Sequence, residues 1–253
     1  MTDYQRFEEL SAMTKEELHV DNGVGTLSEK YLHIFLKNYF EPDKSCHEVK
    51  VGRFTADILS GNHITEIQTH SLSNLKEKIE YYLLEGYDVT VVHPIARIRK
   101  MISFDPNTGN IGYIKNHPHI GNWYDAIPEL IYIKYFLDWE HFDIRLIMFD
   151  IEEYREIKSK PGAKRQRTKR FERIPFAIGE NVVLDNPSDY LIFVPDGLPD
   201  EFVARDFARC AKIPYNLANM TLNILTYLGV TEHFDNVGRY YKYRLNKYFK
   251  DFG

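Results

Sequence analysis

Asp57, Glu66 and Gln68 are the residues whose types and spacing point most directly to chemistry in this sequence. Asp57 stands near the end of one strand-like run, Glu66 in the middle of the next, and Gln68 two residues on. Side chains alternate along a strand, so Glu66 and Gln68 share a face. With Asp57 across from them, two carboxylates and the Ile67 carbonyl form an oxygen-rich pocket suited to Mg²⁺ or Mn²⁺. A hard cation so held activates water and stabilises the charge that grows on a phosphodiester. Glu66 is flanked by Ile67 and near Ile64, and Asp57 lies between Ala56 and Ile58. Carboxylates in such surroundings need a cation or several donors if buried, and are ordinary if they face solvent. Arg53 and His70 flank the pair, within reach of a phosphate or simply on the surface.

The elements that must position these acids are legible nearby. A capping-box sequence, Thr26-Leu-Ser-Glu29, precedes Leu32, Phe35, Leu36 and Tyr39 at helical spacing, and Pro42 ends the run. Residues 47–51, 53–59 and 63–69 read as strands separated at Gly52 and at Ser60-Gly61-Asn62, an antiparallel meander. A second helix opens at Ser73 or Asn74 with Leu75, Ile79, Tyr82 and Leu83 on one face, and residues 88–93 form a short strand stopped by Pro94. The predicted order is α-β-β-β-α-β. A short helix at 14–18 and a loop at 21–25 precede it. Beyond it come a hairpin around Asp105–Gly109 (residues 100–104 with 111–114), a helix over 126–137 and a buried strand over 144–149.

Charge is distributed unevenly. Residues 1–157 carry 16 Lys and Arg against 26 Asp and Glu, whereas residues 158–253 carry 16 against 11. Eight of the sixteen residues in 158–173, KSKPGAKRQRTKRFER, are Lys or Arg, and its Pro-Gly and charge density predict a loop. Lys164, Arg165, Arg167, Lys169 and Arg170 are its candidates for phosphate contact, against the alternative of a solvated loop. Residues 171–184 read as a strand pair, and 197–199 as a linker. The acidic, polar N-terminal segment has no signal pattern and no run approaches a membrane span, so a cytoplasmic protein without a membrane partner is expected. Two cysteines, Cys46 and Cys210, give neither a disulfide scaffold nor a zinc site. His93-Pro94 and His117-Pro118-His119 lack zinc spacing and read as loop histidines. No G-x-S-x-G, P-loop or G-x-G-x-x-G sequence occurs.

The Asp57-x8-Glu66-x-Gln68 pattern on this element order resembles the PD-(D/E)XK, restriction endonuclease-like nuclease superfamily over residues 25–95. In that superfamily the two acids bind metal and a lysine two residues after the second positions or activates water. Asp57 and Glu66 match the acids, and Gln68 stands where lysine is usual. The resemblance offers Lys78, then Lys76, as a lysine moved to the following helix; both also read as solvated helix residues. It offers Glu29 as a further acid near the metal, beside its role as the N3 residue of the capping box. The GTLSEK, EIQT and ERIP segments resemble an uncharacterised bacterial family.

From Leu198 onward, FVARDFARCAKI, PYNLANMTLNILTYLGV and TEHFDNVGRYYKYRL give two helices and a hairpin. Phe202, Phe207 and Ala211 read as inward in the first helix, and Ala218, Leu222, Leu225 and Leu228 in the second. This segment resembles a winged helix-turn-helix. The resemblance implies that Tyr215, Asn216, Asn219 and Asn223 face the major groove and that Arg239, Lys242 and Arg244 on the wing contact backbone.

The sequence thus predicts an α/β protein with a nuclease-like domain at 1–197, including the basic loop, and a winged-helix domain at 198–253. The expected activity is Mg²⁺- or Mn²⁺-dependent cleavage of DNA, with RNA an open substrate. Asp57 and Glu66 hold the ion, Glu29 assists, and Gln68 with Lys78 orients water. Partners are DNA and either a second copy or other protein subunits. The alternative is a degenerate nuclease fold that binds DNA or assembles with other proteins without cutting.

Overall fold

A computed structural model describes residues 3–13, 31–158 and 167–252. The chain divides into two compact units: Met1–Thr69 with Val92–Asn122 and Ile147–Asn181, and His70–Val91 with Trp123–Leu146 and Val182–Gly253.

The first unit is built around α2 (Tyr31–Phe40), which follows α1 (Asp3–Ser11). Every α2 residue from Tyr31 to Tyr39 is buried except His33. Phe35 packs edge-on against Phe7 of α1 at 5.5 Å and against Phe149 at 6.3 Å. Ile58, Ile67, Val92, Ile147 and Ile151 complete this core. Burial of these aromatic and branched side chains, about 1.5–3 kcal/mol each, is what fixes α2 on the sheet.

The sheet has seven strands: β1 (His47–Val51), β2 (Phe54–Ser60), β3 (His63–Ile67), β4 (Asp88–Phe104), β5 (Ile111–Asn116), β6 (Phe142–Ile157) and β7 (Thr168–Leu184). Their order is β1-β2-β3-β4-β6-β7, with β5 paired to β4. The predicted meander is present: β1 pairs antiparallel with β2, and β2 with β3. Gly52 and Gly61, at φ 56° and 62°, make the two tight turns, a conformation that costs glycine nothing. The hairpin at Asp105–Gly109 also forms, with Lys100 opposite Asn116 and Ile102 opposite Ile114.

Four sequence expectations about strands need correction, the first being that the strand pair read over 171–184 is a single strand, β7. Pro94 does not stop β4, which continues to Phe104 and carries His93 as a buried strand residue rather than a loop histidine. β3 ends at Ile67, so that stretch of β4 has an edge where a missing N–H is tolerated. The basic segment expected as a loop through Arg173 is strand from Thr168 onward, because neighbouring β6 supplies both backbone partners and an acid for its charges. Phe202 belongs to a short strand, not to the helix after it. Thr26–Glu29, the helix expected at 14–18, the loop at 21–25, Lys164 and Arg165 lie outside the described residues.

The second unit contains α3 (Lys76–Leu84), α4 (Ile127–Ile133), α5 (Ala204–Ala211) and α6 (Tyr215–Tyr227). The helix expected over 126–137 is α-helical only in α4, with 3₁₀ turns on either side. A separate three-stranded sheet runs β8-β10-β9, from β8 (Phe202–Val203), β9 (Thr231–Val237) and β10 (Tyr240–Leu245). Ala218, Leu222 and Leu225 of α6 are fully buried, as their spacing predicts. Lys134 donates to Asn223 at 2.8 Å and Tyr227 to Asp138 at 2.9 Å, tying α6 to the segment after α4.

Candidate metal centre

Asp57 occupies an interruption in the sheet. The β2–β3 ladder runs from Ser60↔His63 to Ile58↔Thr65 and stops, and Asp57 and Glu66 are the next residues on the two strands. On the other side of β2, His47 pairs with Ile58 and Val49 with Ala56, but the ladder is broken between them at Glu48. Glu48 has φ 53°, a left-handed conformation costing about 1–2 kcal/mol for a residue with a Cβ. Strain of this kind persists only where surrounding contacts hold it.

The gap is filled by side chains. Asp57 Oδ2 accepts the Ile67 N–H at 2.8 Å, a bond that stands in for the missing ladder contact. The same oxygen lies 3.2 Å from His33 Nε2, and both side chains are about one-fifth exposed. One helical turn on, Lys37 donates to Glu48 Oε1 at 2.7 Å and is itself almost fully buried. Thus His33 and Lys37, on one face of α2, each meet a carboxylate on the two strands flanking the break. Glu66 is 1% exposed. A carboxylate at that depth requires donors or a cation to offset its lost hydration.

Gln68 continues the line beyond β3. Its N–H bonds the Val92 carbonyl at 2.9 Å, and its carbonyl accepts from His93 Nδ1 at 2.8 Å. A carbonyl only accepts, so Nδ1 carries the proton and Nε2 is the basic nitrogen of neutral His93.

Asp57 on β2 and Glu66 on β3 are therefore neighbours in the first unit, with Gln68 just past the end of β3. Lys78 and Lys76 lie on α3 of the second unit, Lys76 exposed and Lys78 half-buried. Among the described residues, no group of three His, Cys, Asp or Glu side chains is arranged to hold a metal ion. Glu29, the third acid expected, lies outside them. Asp57 and Glu66 are the two carboxylates here that could hold an ion, and oxygen donors of this kind suit a hard divalent cation better than a soft one. Sequence reading missed His33, Lys37 and Glu48, and took His93 for a loop histidine. A signal for the first two exists in YLHIFLKNYF, where His33 and Lys37 are polar residues four apart in an otherwise mostly apolar helix.

The candidate nucleic-acid contacts divide by how their charge is engaged. Arg53 stacks over Phe54 at 4.8 Å. Arg167 and Lys169 are exposed, and Arg170 is half-buried. Asn216 is exposed on α6; Asn219 is exposed and bonds back to the Tyr215 carbonyl at 3.0 Å. On the hairpin, Lys242 pairs with Glu201 and Arg244 with Glu232, so an acid already answers both charges. Arg239 is exposed and shares the Tyr240 hydroxyl with Arg205 of α5, the two donating at 3.2 and 2.8 Å. These groups line a cleft of about 220 Å³ with Tyr215 and Asn219. Among the described residues no helix is long and apolar enough to cross a membrane.

Comparison with known proteins adds kinship. An uncharacterized protein of Treponema pallidum (strain Nichols) is 25% identical over 187 residues, 74% of each chain. No solved structure matches. The model of one family matches residues 30–185, a span that holds Asp57, Glu66, Gln68 and the whole of β1 to β6. The chain belongs to that family, described as a domain of unknown function, DUF8091.

Proposed function

We propose that this protein is a divalent-metal-dependent endonuclease acting on DNA, with Asp57 and Glu66 as the ligands of Mg²⁺ or Mn²⁺. The observation that carries the reading is the paired position of these acids at the end of the β2–β3 ladder, one of them 1% exposed. Ile67 N–H and His33 fix the Asp57 carboxylate, so the site is held in shape before substrate arrives. Asp57 and Glu66 would hold the ion, which when bound would supply a Lewis acid for the scissile phosphate and a lowered pKa for water. In this reading Gln68 would orient the attacking water by hydrogen bonding, and its amide carries no charge with which to activate it. Lys78 and Glu29 remain part of the proposal from the superfamily resemblance.

The order β8-α5-α6-β9-β10, with sheet order β8-β10-β9, supports a winged helix-turn-helix in the second unit. In that reading Asn216 and Asn219 face DNA, and Arg239, which no acid among the described residues engages, grips backbone more effectively than Lys242.

Incubation of the full chain with supercoiled plasmid and with single-stranded DNA and RNA, in Mg²⁺, Mn²⁺ or chelator, tests the proposal. Cleavage is expected only with metal, and Asp57→Asn or Glu66→Gln is expected to slow it about 100-fold or more. Intact substrates in both metals would end the enzyme reading. If binding then persisted, the second reading, a DNA-binding or assembly factor on a non-cutting fold, would take its place. Gln68 at the position of the usual lysine is the observation that favours it.

A further inference from the structure

We propose that Arg99, Arg155 and Arg173 form a binding site for a phosphate group, apart from the Asp57 centre. The three arginines come from neighbouring strands β4, β6 and β7; Arg155 and Arg173 bond Glu153, which is 1% exposed on β6, and Arg99 on the adjacent strand acts on its carboxyl electrostatically. Arg155 bonds Glu153 Oε1, and Arg173 Nε bonds Oε2 at 3.2 Å. Arg155 Nε is also held, by Thr168 Oγ1 at 2.8 Å. Both oxygens of the single acid are therefore engaged by the first two arginines. Arg99 is left over: its Nε is buried with no acceptor among the described residues.

Three guanidinium groups against one carboxylate leave two positive charges in a partly dehydrated site. Burial and repulsion from Arg170 hold the Arg173 guanidinium below its ordinary value. Burial pushes the Glu153 carboxyl up, yet Arg155, Arg173 and Arg99 outweigh it and hold the group below the usual range. Such an excess of buried cation is costly unless an anion completes it. Arg155 and Arg173 are about one-quarter and one-fifth exposed, so solvent reaches their remaining donors. Planar forks with several free N–H groups match the oxygens of a phosphate better than those of a single carboxylate. Glu153 acts as the post that orients two of the forks.

The site is independent of the metal reading, and the test keeps them apart by using the full chain in chelator, where no cleavage enters. Inorganic phosphate or pyrophosphate is expected to raise Tm by about 4 °C or more over chloride of equal ionic strength. Arg99→Gln, which breaks no bond to Glu153, is expected to abolish that rise while leaving Tm in chloride unchanged or higher. Lys115→Gln, an exposed cation elsewhere on the unit, should retain it. Fluorescently labelled DNA and RNA oligonucleotides distinguish the source of the phosphate. If Arg99→Gln weakens their binding about tenfold and lowers the salt slope by about one, the ligand is a nucleic-acid backbone. Loss of the phosphate response with unchanged oligonucleotide binding identifies a small phosphorylated molecule instead. No phosphate-specific stabilisation of the wild type, or an undiminished response in Arg99→Gln, overturns the proposal.

Discussion

In the proposed reading Asp57 has two tasks, and substitution can separate them. Its Oδ2 supplies the acceptor for Ile67 N–H, and its charge is what a cation needs. Asp57→Asn preserves an acceptor, so unfolding in urea should show a loss within about 1 kcal/mol, whereas Asp57→Ala leaves the N–H without one and should lose about 1–3 kcal/mol. Failure of both variants to cut, with only the alanine destabilised, would attribute the activity to charge. His47 offers a separate measurement. It is 2% exposed, its Nε2–H donates to the Glu41 carbonyl at 2.8 Å, and burial, with Lys37 and Lys44 nearby, pushes its pKa down. The folded state therefore binds this proton less readily than the unfolded chain. Stability from the neutral ring is present above the unfolded value of about 6.5 and is lost as pH falls through it toward the folded one. Urea midpoints measured between pH 8 and pH 5 should fall more steeply in the wild type than in His47→Gln. The Asp57–Ile67 bond and the buried His47 were not visible beforehand. Asp57 could be singled out from residue type and spacing, but its partners His33 and Ile67 are set by where a ladder stops, which is a tertiary fact.

At the scale of elements, the break at Glu48 sets two effects against each other. Glu48→Gly relieves about 1–2 kcal/mol of left-handed strain. It also removes the acid from buried Lys37, a loss of about 3–5 kcal/mol for a fully buried pair and less here because Glu48 is one-quarter exposed. The lysine side wins, and the variant should unfold at lower urea concentration than the wild type. Higher stability would show that the strain dominates. The meander around this break was legible because its strands are short and its turns carry Gly52 and Gly61. The long strands were not. β4 runs through Pro94, and β7 begins among Arg167, Lys169 and Arg170, where local chemistry argues against a strand. Their extent is decided by neighbours in the sheet, which composition does not reveal. The helix pair and hairpin after residue 202 were legible for the opposite reason: α6 repeats its apolar residues at helical spacing, and Gly238 marks the turn with φ 60°.

At the scale of the whole molecule, the chain passes between its two compact units at residues 69/70, 91/92, 122/123, 146/147 and 181/182. Three of these passages lie inside β4, β6 and β7. Strands shared in this way predict one cooperative unfolding transition. Trp123 and Trp139 both report on the second unit and Cys46 on the first, so fluorescence and thiol labelling, in a Cys210→Ser background, should give coincident urea midpoints. Two separated midpoints would show that the units melt independently despite their common strands. The same interleaving bears on how such a protein can be inherited. Genetic exchange moves contiguous stretches of gene, and no single stretch encodes either unit. A recombination that replaced one unit would sever strands belonging to both, so the pair must diverge together, by substitution and by growth of loops, rather than by exchange of ready-made parts.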